Sequence, residues 1–410
     1  MKSAIVLGAG MVGVSTAIAL RDRGWDVTLV DRKAPGLETS FGNAGIIQSE
    51  AVEPYAMPRS IGKLFEIALG RTNDVHYSFR ELPFHLATLA RYWWHSEGKR
   101  HRAASVAWAS LIGRATATHG ALIERAGADN LIRRDGFRML YRSQSEFDVA
   151  LRNAERISTT YGVPFRALSS AEMGQAEPSL IHSGIGAIHW LDPWTASDPG
   201  GLVSSYAGLF QRSGGRFVHG DAATLARKGS GWSVVTNDGV AEAEQAVFTL
   251  GPWSADVLKP FGHSFPMVQK RGYHAHYRSP HPLQVPVMDT ENGYLLLPMA
   301  AGTRITTGAH LARPEAPADY GQLERAEAAA RRLIDLGPRV EDKPWQGTRP
   351  CMPDMLPVIG LSQHHKGLWM NFGHGHQGFT LGPATADVLA SMMAGEKPQV
   401  DMQPFRPERY

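Results

Sequence analysis

At 410 residues the chain is about three times the length of a common domain, which predicts two domains or one composite unit. Its 43% hydrophobic and 20% charged residues exclude a disordered or fibrous chain, and a net charge of +3 is too even for a nucleic-acid binder that neutralises phosphates. The single cysteine, Cys351, excludes an internal disulfide and a thiolate metal cage, and points to a reducing compartment.

Residues 4–7 form a short apolar run, residues 11–23 have helical character ending at Gly24, and residues 27–30 form a second run. Lys2 and the apolar stretch after it imitate a signal peptide, but the pattern continues into a second strand that cleavage would strand. The glycines and the charges at 21–23 spoil a membrane span, so the chain reads as soluble and cytoplasmic. This opening is a βαβ unit carrying Gly8-Ala9-Gly10-Met11-Val12-Gly13, with Asp31 closing the second strand. Gly8 permits the tight turn, Gly10 lets backbone approach a pyrophosphate, and Gly13 lets helix pack on strand. The helix N-terminus then meets the phosphates and the acid accepts from ribose hydroxyls. This element by itself separates neither NAD from FAD. A hydroxyl- and glycine-rich loop follows, running from Glu38 through Ser40, Asn43 and Ala44 to Gly45.

Residues 60–180 read as largely helical, with Tyr92, Trp93 and Trp94 in one apolar stretch and Ser169-x-x-Glu172 as a capping box. Strand-like segments at 136–141, 185–190, 273–277, 294–299 and 304–308 lack regular helix alternation, which predicts a separate antiparallel sheet. Residues 246–250 read as a buried strand. Residues 383–394 read as a helix with Pro383 near its first turn and Gly395 after its last. Before that helix lie Gly347-Thr348-Arg349-Pro350-Cys351 and Gly373-His374-Gly375-His376-Gln377-Gly378. A glycine-rich loop entering a helix aligns N–H donors that suit the anionic edge of a reduced flavin.

In the order LGAGMVGVSTAIAL, DRKAPGLETSFGNAGI, GAIHWLDPWTASDP, FTLGPWS, KRGYHAHY, GTRPCMPDMLPVIG and GHGHQGFTLGP, these pieces span nearly the whole chain. The chain resembles the D-amino-acid oxidase superfamily of FAD enzymes, most closely the bacterial D-amino-acid dehydrogenases. The resemblance implies an α/β, Rossmann-like FAD-binding domain of the glutathione-reductase type and a second α+β domain built on an antiparallel sheet. It places the first at 1–50, 190–256 and 340–410, and the second, with a helical insertion, at 51–189 and 257–339. It assigns FAD to Gly8, Gly10, Met11, Val12, Gly13, Asp31, Arg32, Ser40, Asn43, Ala44, Gly45, Gly251, Gly375, His376, Gln377, Gly378 and Thr380.

Relatives with cysteine-linked flavin carry that cysteine where Gly347 falls, so Cys351 reads as a packed small residue and the FAD as noncovalent. Arg271 stands where the dehydrogenases usually have lysine. The resemblance gives Arg349 the substrate carboxylate, a task for its planar fork of donors. Tyr273 and Tyr55 are further substrate candidates, and His374 or Tyr273 could assist proton transfer. His374-x-His376 has no cysteine or carboxylate partner nearby, so no metal is expected; one of the pair lines the pocket and the other faces solvent. Trp93 and Trp94, near Arg91, Lys99, Arg100 and Arg102, read as core on one side beside a solvated basic turn; the other reading is a peripheral contact on the inner face of the membrane.

The activity implied is oxidative deamination of a D-amino acid, or of a cyclic D-imino acid such as D-proline or hydroxyproline, by hydride transfer from Cα to flavin N5. Alternatives are glycine or sarcosine oxidation, the flavin-bearing subunit of an opine or amine dehydrogenase with partner subunits, and an NAD-dependent dehydrogenase. The electron acceptor stays open among quinone, carrier protein and oxygen.

Overall fold

A computed structural model describes residues 2–69, 73–313 and 315–410, so residues 70–72 of the expected helical stretch lie outside the described residues. Two sheets organise the chain. The first has six strands in the order Arg216–His219, Asp26–Asp31, Ser3–Leu7, Gln245–Phe248, Leu368–Phe372 and Val358–Leu361. All its pairings are parallel except that of the edge strand Val358–Leu361. Its central strands are apolar on both faces, as Ile5, Val6 and Leu7 and then Ala246, Val247 and Phe248 show, because helices cover one side and a small three-stranded sheet the other. The helix Met11–Arg21 lies on this sheet and packs against Gly378–Ala394, where a Cβ at Gly382 would come within 2.7 Å of Met11 Cγ.

The second sheet has ten strands and is antiparallel except at two pairs, Phe137–Tyr141 with Val287–Asp289 and Val75–Tyr77 with Ala309–Leu311. The strand-like segments expected at 136–141, 185–190, 273–277, 294–299 and 304–308 all belong to it. Strands also occupy part of the stretch expected to be helical, since Phe137–Tyr141, Phe165–Ser169 and others fall between its helices. Within that stretch Ser169 and Glu172 do form the capping box of Ser170–Ala176. The strand Trp345–Cys351 pairs with Val268–Tyr277, so a piece expected with the flavin domain extends the second sheet.

Two further expectations are corrected. The C-terminal helix begins at Gly378, five residues before its expected start, and Pro383 lies inside it. A proline there removes the N–H that would bond Phe379 O. That carbonyl instead accepts from His119 Nε2 at 2.9 Å, and the helix continues to Gly395, which ends it at φ +81°. Trp93 and Trp94 are 39% and 54% exposed rather than core, each covered by a guanidinium, Arg59 at 3.8 Å and Arg100 at 3.7 Å.

Candidate active site

The strands Ser3–Leu7 and Gln245–Phe248 end side by side, and the chain turns there in almost no space. Gly8 has φ +106°, and a Cβ on it would lie 2.6 Å from Thr249 O. A Cβ on Gly13 would lie 1.7 Å from Gly8 O, so the helix closes on the turn only with glycine at that position. Gly10 caps the helix with no side-chain acceptor of its own, while Ser40 Oγ accepts from Met11 N–H at 3.0 Å. Asp31, at the end of the second strand, accepts from Ala9 N–H at 2.6 Å and Lys33 N–H at 2.9 Å. Burial nonetheless raises its carboxyl above the usual range. Arg32 pairs with Glu38 at 2.9 Å and lies over Trp253 at 4.4 Å. Bare backbone at two glycines, a helix N-terminus and an acid at the ribose position fit a dinucleotide.

A cavity of about 930 Å³ runs from this turn to the second sheet. Of the expected cofactor residues, Gly8, Gly10, Met11, Val12, Asp31, Arg32, Ser40, Asn43, Ala44, Gly251, Gly375, His376 and Gly378 line it. Four do not. Gly13 makes the packing contact above. Gly45 has φ +69° and accepts from Ala196 N–H at 2.7 Å, which ties its loop to the strand Trp194–Ala196. Gln377 is buried and donates to Gln48 Oε1 at 2.6 Å. Thr380 is buried and donates to Ile46 O at 3.2 Å, fastening the helix Gly378–Ala394 to the strand Ile46–Ile47.

Arg349, Tyr55 and His374 reach the same cavity; Tyr273 does not. Along Val268–Tyr277 the side chains alternate, so Lys270 and Gly272 face the cavity while Arg271 and Tyr273 face away. Tyr273 is fully buried in the core behind the sheet, its hydroxyl 2.8 Å from His310 Nδ1, and touches no substrate space. Arg271 bonds the carbonyls of Arg313, Ala316 and Pro317 on that far side, so its departure from lysine leaves the cavity wall unchanged.

Arg349 lies over Gly272, where a Cβ would come within 2.7 Å of Nη2. Its guanidinium donates to Gly308 O at 2.7 Å, Thr307 O at 3.0 Å and Arg271 O at 3.3 Å. Among the described residues it has no acidic partner, and burial lowers its pKa. A half-buried cation resting on neutral carbonyls is a site for an anion.

Burial pushes both His374 and His376 down to about 3, the latter helped by the nearby Arg349 and Lys270 charges. Both are therefore neutral. His374 Nε2 is 3.0 Å from Thr385 Oγ1, which makes it a strut to the last helix, and neither histidine stands free in solvent as one was expected to. Cys351 is half-buried on the cavity wall rather than packed away.

The sequence reading missed four wall or near-wall residues. Lys270, 4.5 Å over the Tyr92 ring, was recoverable from strand alternation two residues before Gly272. Trp345 stacks on His274 at 4.9 Å and fills the space that side chains at Gly42 and Gly347 would need. Gln48 lines the cavity, and behind it Glu50, 7% exposed, is pushed up to about 7 by burial. Their only signal was a polar interruption after Ile47 in an apolar run.

The family profile described as FAD dependent oxidoreductase matches residues 3–392. A D-amino-acid oxidase of Bradyrhizobium diazoefficiens is 30% identical over 420 residues, covering 99% of this chain and 98% of that protein. A D-amino acid dehydrogenase of Cereibacter sphaeroides is 30% identical over 433 residues, covering 99% and 95%. Among solved structures, glycine oxidase from Geobacillus kaustophilus superposes with a TM-score of 0.77 at 21% identity, covering 100% of both chains. A match of this extent, on a chain that carries the dinucleotide turn, means that the protein belongs to the DAO family of FAD-dependent oxidoreductases.

Proposed function

We propose that the protein oxidatively deaminates a D-amino acid whose carboxylate is bound by Arg349. The observation that carries this reading is the half-buried Arg349 guanidinium, held on three carbonyls with no acid to neutralise it among the described residues. Its planar fork accepts a carboxylate on two parallel bonds, and Lys270 on the same wall adds a second positive charge. Bound along the Gly8 turn, FAD supplies the acceptor for the hydride that leaves Cα. The chain's own task is to hold the carboxylate, present the amine and exclude water, and neutral His374 and His376 cannot donate a proton as cations. The D configuration rests on the two relatives of about 30% identity.

Noncovalent flavin is part of this reading. A side chain at Gly347, where relatives with a cysteine link carry it, would meet the Trp345 ring at 1.8 Å. Acid precipitation is expected to release all flavin to the supernatant, and flavin retained by the polypeptide would contradict this. The flavin unit would comprise 1–50, 190–256 and 340–410 and the substrate unit 51–189 and 257–339; the six-stranded sheet supports this, except that the strand Trp345–Cys351 belongs to the second sheet.

Arg349→Lys keeps the charge and loses the fork. With FAD content unchanged, kcat/KM for D-amino acids should fall about thirtyfold, the equivalent of ~2 kcal/mol for a charged hydrogen-bond pair. Wild-type turnover in that variant would refute the carboxylate assignment.

The helices Ile61–Ala68 and Leu82–His95 wall the cavity through Leu64, Ile67, Leu89 and Tyr92, and expose Ile61, Phe65, Phe84 and Trp94 on the outside. Apolar rings beside Arg59 and Arg100 suit an anionic lipid surface. That surface would bring the cavity to a membrane-borne electron acceptor.

A further inference from the structure

One part of the cavity wall holds buried polar atoms for which the described residues supply no hydrogen-bond partner. Gln48 is its hub. Its Nε2 donates to Glu50 Oε1 at 2.5 Å, and its Oε1 accepts from Gln377 Nε2 at 2.6 Å. Around it, Glu50 Oε2, Gln377 Oε1 and His376 Nε2 are buried without a partner among the described residues. Glu50 and Gln377 are 7% and 1% exposed, so bulk water does not supply the missing bonds. The His376 ring packs edge-on against Tyr55 at 4.8 Å, and Gln48, Tyr55, His376 and Arg349 line the same cavity. Buried polar atoms without partners are costly, and three together point to a hydrogen-bonding group that arrives from outside.

An amino group is one such. A glutamine amide can turn either end to its neighbour, but the ionised form of Glu50 accepts only. Facing Glu50, Gln48 must therefore present its NH2 to the acid and its carbonyl elsewhere. One lone pair of that carbonyl takes the Gln377 amide, and the structure shows no second donor to it among the described residues, although the Tyr55 side chain also hydrogen-bonds Gln48. Arg349 and Lys270 make a donor-rich part of the cavity, and Gln48 with its neighbours makes an acceptor-rich part.

We propose that Glu50 is a positioning residue for the substrate's amino group: by holding Gln48 Nε2 it turns Gln48 Oε1 to accept an N–H from the substrate whose carboxylate lies on Arg349. This rests on the amino-acid reading above and adds to it the device that tells an amino acid from a plain carboxylic acid.

The test uses matched pairs that differ only in the amino group: D-alanine with propionate, and D-phenylalanine with 3-phenylpropionate. In the flavin-loaded enzyme, Glu50→Gln should raise the KM of the amino acid about tenfold, the loss of a hydrogen bond to a charged group. The inhibition constant of the matched acid should stay within twofold. Gln48→Leu, which leaves the buried acid in place and removes the acceptor, should give the same split. If amino acid and plain acid weaken together in both variants, or neither weakens, the proposal for Glu50 is overturned. If inhibition by the plain acid survives Arg349→Lys, the carboxylate assignment falls first and takes this proposal with it.

Discussion

Burial pushes the Glu50 carboxyl up to about 7 from 4.5, so folding takes up a proton between those values. The stabilisation from that proton is full below pH 4.5 and is lost as pH rises through about 7. A shift of this size corresponds to roughly 3 kcal/mol at alkaline pH. Glu50→Gln removes the ionisation and should raise the thermal midpoint at pH 8 by several degrees, the gain closing by pH 5 in the same melting series. An unaltered midpoint at pH 8 would mean that the carboxylate is solvated in the native state. A second expectation concerns Gly272. An alanine methyl there would sit 2.7 to 2.8 Å from the Arg349 guanidinium, so Gly272→Ala should lose substrate binding about as severely as Arg349→Lys while retaining flavin absorbance. At this scale the place of Arg349 on the cavity wall was legible because a forked cation after a glycine stood in a family position. Tyr273 was misplaced because a motif read as a string hides the two faces of a strand. The alternation that seats Lys270 and Gly272 on the cavity puts Tyr273 in the opposite core.

The helix Gly378–Ala394 shows what local rules reveal and what they miss. Gly395 stops it as expected, but Pro383 misled because proline favours a first turn. Nothing near Pro383 in sequence discloses that His119, on another helix, bonds the carbonyl left free by the missing N–H. Burial pushes His119 down to about 4, so it is neutral, with Nε2 as donor to Phe379 O and Nδ1 as acceptor from Tyr206 OH. His119→Leu should destabilise the protein by about 2 kcal/mol through an orphaned carbonyl. In a Pro383→Ala background, where the helix supplies its own N–H, that cost should shrink by at least about 0.5 kcal/mol. Additive losses in denaturant unfolding would argue that His119 matters only for packing. Five strands of the second sheet were legible from their apolar runs, while Val75–Tyr77 and Phe165–Ser169 fell in the stretch read as helical. Their partners were not, since Val75–Tyr77 meets Ala309–Leu311 across more than two hundred residues.

For the whole molecule, the exposed face around residues 61–94 predicts a partition. Co-sedimentation with anionic phospholipid vesicles should exceed that with neutral ones and fall with salt. Phe65→Ser combined with Phe84→Ser should abolish it while leaving turnover with a soluble dye intact. Equal recovery with both vesicle types, or none with either, would count against a membrane contact. Among the described residues no helix is long and apolar enough to cross a membrane.

The first helix finds its main partner at the far end of the chain, with Met11 against Gly382 and Thr16 bonded to Asn371. During synthesis at ~5–20 residues per second, the nucleotide turn at Gly8 waits on the order of a minute for the strand and helix that complete it. Until then the flavin site of the growing chain is incomplete. Flavin capture is expected to wait on the strand Leu368–Phe372 and the helix Gly378–Ala394. A ribosome stalled before codon 395 should yield a chain that holds no flavin, however much of the substrate sheet it already carries.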